Sequence, residues 1–182
     1  GARVGGELQT RALLAILISF VATLIYLAFR FEWRFGVAAV IATLHDILLT
    51  LAFLAVLQLE VSLTTVAAFL TILGYSLNDT IIIFDRVREN LKGSKRQDFD
   101  GLLNRSINET LPRTVMTTAT TIATLLALFL LASGVIREFA LIMIVGITLG
   151  TYSSIFVAAP APRAIEKRLP HGPKQVKPTT RK

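Results

Sequence analysis

Three ionisable residues stand where ionisable residues are expensive. Asp46, Asp79 and Arg113 each interrupt a long block of otherwise apolar sequence. An Asp or Arg at the centre of a membrane helix costs about 2.5–3.5 kcal/mol on insertion scales. Such residues persist when they are paired, hydrated or used. A carboxylate near a guanidinium in an apolar setting is suited to taking up and releasing a proton. Asn78 and Thr80 flank Asp79 and extend the polar patch. Arg113 heads a run of hydroxyls, because Thr117, Thr120, Thr121 and Thr124 share its helical face, and Thr114 and Thr118 widen it.

Each feature has a plainer reading. Glu109 precedes Arg113 by one helical turn, the favourable order for an ion pair, so Arg113 can be satisfied there and snorkel to the interface. Asp79 can be a structural lock bonded to Asn78, Tyr75 or Thr80. Asp46, beside His45, reads as readily as a structural group as the inner end of a polar path. A threonine stripe can hold water for protons, or it can simply pack helices closely. Gly146 and Gly150 form a GxxxG spacing followed by Ser153 and Ser154, which favours close helix contact and says little about function.

Five elements must position these groups. Hydrophobic residues make up 53% of the 182, with a mean hydropathy of +0.64, and they fall in blocks near the roughly 20 residues a helix needs to cross a bilayer. The blocks run over 12–29, 35–57, 61–84, 111–131 and 139–160, the last ended by Pro160 and Pro162. The expected fold is therefore an all-α membrane protein, a five-transmembrane-helix bundle over 12–163. A polar junction, 1–11, precedes it and a basic tail, 164–182, follows. Within the long link from Asp85 to Thr110, Phe99, Leu102, Leu103 and Ile107 recur at helical spacing behind Asp98. They predict a short amphipathic helix on the membrane surface or against the bundle.

Lys and Arg set the expected orientation. Fifteen lie in one alternate set of links, 30–34, 85–110 and beyond 162, whereas the other set holds only Arg3, Arg11 and Arg137. The first set is predicted to be cytoplasmic, with the N-terminus of this chain outside and the C-terminus inside. An outside N-terminus without a recognisable signal peptide suggests a piece of a longer protein. In that topology Asp79 lies about 9 Å and Arg113 about 4–5 Å from the cytoplasmic ends of antiparallel neighbours. A long Arg side chain can bridge the difference, so an Asp79–Arg113 pair is expected, with Asp46 deeper in the bilayer.

Several function classes fall away. The net charge of +7 collects in links and tail, which argues for membrane topology and against nucleic acid. The chain has no cysteine and only two histidines, His45 and His171, too few for a Cys or His metal site. It has no phosphate-binding GxxxxGK[ST] loop and no plausible Ser-His-Asp or Cys-His set. The Asn-X-Ser/Thr matches at Asn78, Asn104 and Asn108 fall in predicted membrane or cytoplasmic segments and read as chance. The expectation is a non-enzyme without cofactor.

The run Gly74-Tyr75-Ser76-Leu77-Asn78-Asp79-Thr80-Ile81-Ile82-Ile83-Phe84-Asp85-Arg86-Val87-Arg88-Glu89-Asn90 strongly resembles the signature of the SecD/SecF family of protein-export membrane proteins, on its SecF side. So do Ser106 to Thr114, the His45-Asp46 pair, Gly150 to Phe156 and the opening Val4-Gly5-Gly6-Glu7-Leu8. The resemblance covers residue 1 to about 163. It implies half of an RND-type transmembrane domain in the bacterial inner membrane, paired with SecD. It implies a complex that draws on the proton motive force to promote export after the SecA–SecYEG step, with YajC as a further partner. The family's intramembrane Asp and Arg match Asp79 and Arg113, with Asp46, Asn78, Thr80, Thr117 and Thr121 as an auxiliary polar path. The family's first helix and periplasmic domain have no counterpart here, so contact with the translocating preprotein is expected to lie outside this chain. Another RND-type exporter of lipid or small molecules, or a non-transporting translocon scaffold, are the alternatives.

Overall fold

The computed structural model describes residues 2–30, 33–93 and 99–162. Five α-helices account for nearly all of them: α1 (Ala2–Arg30), α2 (Trp33–Val56), α3 (Leu63–Gly93), α4 (Phe99–Leu131) and α5 (Val135–Ser153), the last continuing into a π-helical turn, Ser154–Ala158. Four are long and apolar enough to cross a membrane: Phe35–Val56, Leu63–Leu91, Phe99–Leu131 and Val135–Ala158, whereas α1 carries the shorter apolar stretch Leu14–Thr23. Large apolar side chains, among them Ile18, Leu48, Val56 and Leu131, point outward. Such a surface suits lipid and not water. The chain is an all-α, multi-pass membrane protein. The tail 164–182 lies outside the described residues.

The helices are longer than the apolar blocks. The expected junction is helical from Ala2, held by an Arg11–Glu7 ion pair of 2.6 Å and by Thr10 Oγ1 donating to the Gly6 carbonyl. The expected separate surface helix is instead the opening of α4, with Leu102 and Leu103 buried against the bundle. Pro112 lies inside α4 and does not end it. At 33 residues α4 is about 50 Å long, against a hydrocarbon core of about 30 Å. Its polar beginning, up to about Thr110, therefore lies beyond that core.

The ends follow local chemistry. At the close of α2, Gln58 takes φ 52°, with Leu59 N–H donating to Leu54 O and Gln58 N–H to Ala55 O. This is the Schellman arrangement, here with Gln where Gly is usual. At the start of α3, Ser62 Oγ accepts from the Thr65 N–H while Thr65 Oγ1 accepts from the Ser62 N–H, a reciprocal cap.

The core forms where small residues meet. α5 packs on α2, α3 and α4, and α1 lies against α2 and α3. The buried face of α2 runs Ala39, Ala42, Thr43, Asp46 and Thr50, and its small residues let backbones approach. The Gly146/Gly150 pair of α5 meets Ile72 and Ser76 of α3, so the GxxxG spacing serves the α3–α5 crossing. In the π-helical turn the Ala159 N–H reaches the Ser154 carbonyl at 3.2 Å. That wider turn begins where Ser153 and Ser154 are both fully buried.

Candidate functional site

Asp79 sits on α3 with no solvent exposure. Its Oδ2 accepts from Thr151 Oγ1 of α5 at 3.5 Å, and Thr151 Oγ1 bonds Thr118 Oγ1 of α4 at 2.9 Å. Its Oδ1 is buried without a hydrogen-bond partner, as is Thr114 Oγ1. Asp79 therefore lies where three helices meet, with one oxygen held and one left open. A buried carboxylate oxygen without a partner is costly as an anion.

Arg113 is not its hydrogen-bonding partner here. The residue is exposed on the outer side of α4, and no ion pair joins it to Asp79 among the described residues. Three contacts fix the antiparallel register of α3 and α4: Tyr75 to Thr121, Asn90 to Ser106 and Arg86 to Glu109. In that register Asp79 is level with Thr117, and Arg113 lies about 6 Å nearer the charged end. The expected adjacency of helices holds. The direct pair is absent from this conformation.

Glu109 does not satisfy Arg113 either. Its carboxylate takes Asn90 Nδ2 at 3.0 Å, Arg105 Nε at 2.8 Å and Arg86 Nε at 2.6 Å. These three donors hold it well below the ordinary carboxylate range, at about 2. Arg86 also reaches Glu89. The cluster clamps α3 to α4 beyond the apolar part of both helices.

The hydroxyl stripe divides. Thr117, Thr120 and Thr124 face outward, each hydroxyl donating to a carbonyl one turn back in α4. Back-bonding of this kind lets Thr face an apolar medium without an unsatisfied group. Thr121 is half-buried and accepts from Tyr75 Oη at 3.3 Å. The inward face of α4 is a second hydroxyl file, Ser106, Thr110, Thr114 and Thr118. Of the residues expected on a polar path, Thr117 and Asn78 lie on the outer surface. Thr80 is buried and bonds Ser154 Oγ at 2.9 Å, and Ser154 also donates to the Ser76 carbonyl. Asp46 is buried, with Ser76 Oγ donating to Oδ2 at 2.6 Å. Sequence periodicity gave no weight to Thr151, Ser154 or Ser76 as site residues. The signal for the α5 pair was their place one and four residues beyond the GxxxG motif.

Comparison with known proteins fits this arrangement. Residues 1–168 match the family model described as protein export membrane protein SecD/SecF, C-terminal. Protein translocase subunit SecF of Gemmatimonas aurantiaca is 59% identical over 93% of this chain and 51% of its own length. Protein translocase subunit SecDF of Thermus thermophilus is 48% identical over 87% of this chain and 22% of its own. The crystal structure of SecDF from that organism, titled a translocon-associated membrane protein, superposes with a TM-score of 0.88 at 47% identity, covering 92% of this chain and 23% of that one. A second SecDF structure, in a super-membrane-facing form, gives 0.84. The chain spans about half the length of the SecF relatives it matches.

Proposed function

Because the chain belongs to the SecD/SecF family of protein-export membrane proteins, we propose that it supplies the SecF-side transmembrane half of a complex that spends the proton motive force on moving proteins through the Sec translocon. The observation that carries this reading is Asp79: fully buried in an apolar helix, with Oδ1 unpartnered. Asp79 takes up a proton from the outer side and releases it to the cytoplasm. Arg113 pairs with the anion and swings away when the carboxyl is neutral, so the separated arrangement corresponds to the protonated state. Thr151 and Thr118 orient the carboxylate in place of the outward-facing Thr117.

The partners follow from the same reading. SecD supplies the other transmembrane half, an assignment supported by the SecDF chain of Thermus thermophilus, whose name joins both. SecYEG with SecA delivers the substrate and YajC associates. The complex sits in the inner membrane with the charged α3–α4 end in the cytoplasm. The test uses the full complex: Asp79→Asn and Arg113→Ala each abolish the stimulation of export by an imposed proton gradient while assembly persists. Wild-type stimulation in Asp79→Asn refutes proton coupling through this residue and favours a scaffold.

A further inference from the structure

A second carboxylate is built into the bundle by different means. Asp46 is fully buried midway along α2. Ser76 Oγ of α3 donates to Oδ2 at 2.6 Å, a length typical of a hydroxyl on a charged oxygen. His45 Nδ1 lies 3.2 Å from Oδ1. The Asp46 side chain is 0% exposed and that of His45 37%. The imidazole thus joins a sealed carboxylate to the outer surface of the bundle.

The surroundings supply no permanent counter-charge. From α3, Asp46 meets Ser76, and Asp79 lies a turn beyond, turned toward Thr151. The ionisable side chains described on α1 are Tyr26, exposed, and Glu7 and Arg11, paired with each other near its start. On α5, Arg137 and Glu138 stand in the first turn and Tyr152 faces outward. The π-helical turn carries no charged residue. Among the described residues, only the adjacent imidazole can therefore balance the Asp46 charge, and an imidazole is itself protonatable.

We propose that Asp46 is a second proton-binding site and that His45 loads it. The proposal rests on the proton-coupled reading of Asp79. In the loading step imidazolium Nδ1–H passes its proton to Asp46 Oδ1: the Nδ1–H bond breaks, an Oδ1–H bond forms, and both residues end neutral. The neutral imidazole then recovers a proton through its exposed edge on the side of α2. Neutral Asp46 loses its charge-assisted hold on the Ser76 hydroxyl, and Ser76 is the side chain against which Gly150 packs. The protonation state of Asp46 is thereby felt at the α3–α5 crossing, three residues from Asp79. The Ser154 contact to Ser76 ends on the backbone carbonyl, so the coupling is through packing and not through a continuous proton wire.

A lock between α2 and α3 is the competing role, and Asp46→Asn separates the two. The carboxamide keeps an acceptor for Ser76 but cannot titrate. In the full complex reconstituted in vesicles, infrared difference spectra on acidification are expected to show two protonated-carboxyl bands, one absent in Asp79→Asn and one absent in Asp46→Asn. His45→Gln, at a half-exposed position that leaves the fold intact, slows gradient-driven proton uptake by about a hundredfold, the low end for a positioned proton-transfer group. An Asp46→Asn complex with the wild-type bands and uptake overturns the site, and unchanged uptake in His45→Gln overturns the loading role. If Asp46→Asn fails to assemble, the His45→Gln rate decides. Loss of neither band in Asp79→Asn refutes the parent reading and leaves the Asp46 band to be judged alone.

Discussion

A methyl group added to Gly146 would sit 2.2 Å from Ile72 Cδ1 and 2.6 Å from Cγ1, so α5 and α3 touch with no room for a side chain between them. Gly146→Ala must push Ile72 aside and is expected to destabilise the bundle by about 1–3 kcal/mol. Trimming the neighbour should restore part of this, so Gly146→Ala with Ile72→Val should melt above Gly146→Ala alone. Thermal unfolding in detergent checks both the loss and the non-additive recovery.

Gly150 stands one turn further along the same contact, where an added Cβ would lie 3.0 Å from Ser76 Cβ. Ser76 also donates to Asp46. Gly150→Ala is therefore expected to weaken the Ser76–Asp46 bond as well as the packing. Export stimulation should fall in this variant more than its loss of stability predicts, whereas Gly146→Ala should follow stability alone. Paired melting and export assays distinguish the two.

The two hydroxyl files of α4 should differ in consequence. Thr118 holds Thr151, which holds Asp79. A hydrogen bond to a charged group contributes about 1.5–3 kcal/mol, so Thr151→Val and Thr118→Val should shift the proton equilibrium of Asp79 and lower export stimulation roughly tenfold. Thr117→Val removes a hydroxyl that bonds only its own helix and should change it least. The ranking is read from gradient-driven export at several pH values.

Glu109 should not contribute to the pH dependence of activity near neutrality. Its folded value of about 2 lies below the ordinary 4.5. A depressed carboxylate stabilises the fold fully above its unfolded value and loses that contribution as pH falls toward the folded one. Hydrogen-exchange protection at the facing ends of α3 and α4 is therefore expected to be flat through the neutral range and to fall only in strong acid. Glu109→Gln should lower it in the neutral range and abolish the further loss in acid.

The caps provide a control remote from the site. Ser62→Ala removes the acceptor for the Thr65 N–H and should cost about 1 kcal/mol with export stimulation unchanged. A matching loss of activity would show that the start of α3 is part of the working unit.

Apolar block length placed all five helices, and the cost of burying charge singled out Asp79 and Asp46. Both signals are local in the chain. Rotation about a helix axis is not. The threonine period on α4 fits an inward and an outward file equally well, and only packing against α5 shows that Thr114 and Thr118 face in while Thr117 faces out. The direct Asp79–Arg113 bond that depth suggested is absent from this conformation for the same reason, because Arg113 lies on the exposed side of α4. The polar stretch 99–110 looked separable because it lies in the link before the apolar block that starts at Leu111. Yet Pro112 inside α4 removes a single donor, and the buried Leu102 and Leu103 hold the helix in line. Thr151 and Ser154 acquire meaning only from what α3 places opposite them.

The Arg86–Glu109 clamp makes a pair of shears of the long hairpin. It closes one end of α3 and α4, and Asp79 lies about 10 Å from it along α3, with the opposite end near Leu63 about 35 Å away. If the two helices pivot there as stiff rods, a spacing change of 1 Å at Asp79 becomes about 3 Å at the far tips. A protonation event near one face of the membrane is then largest as movement at the other.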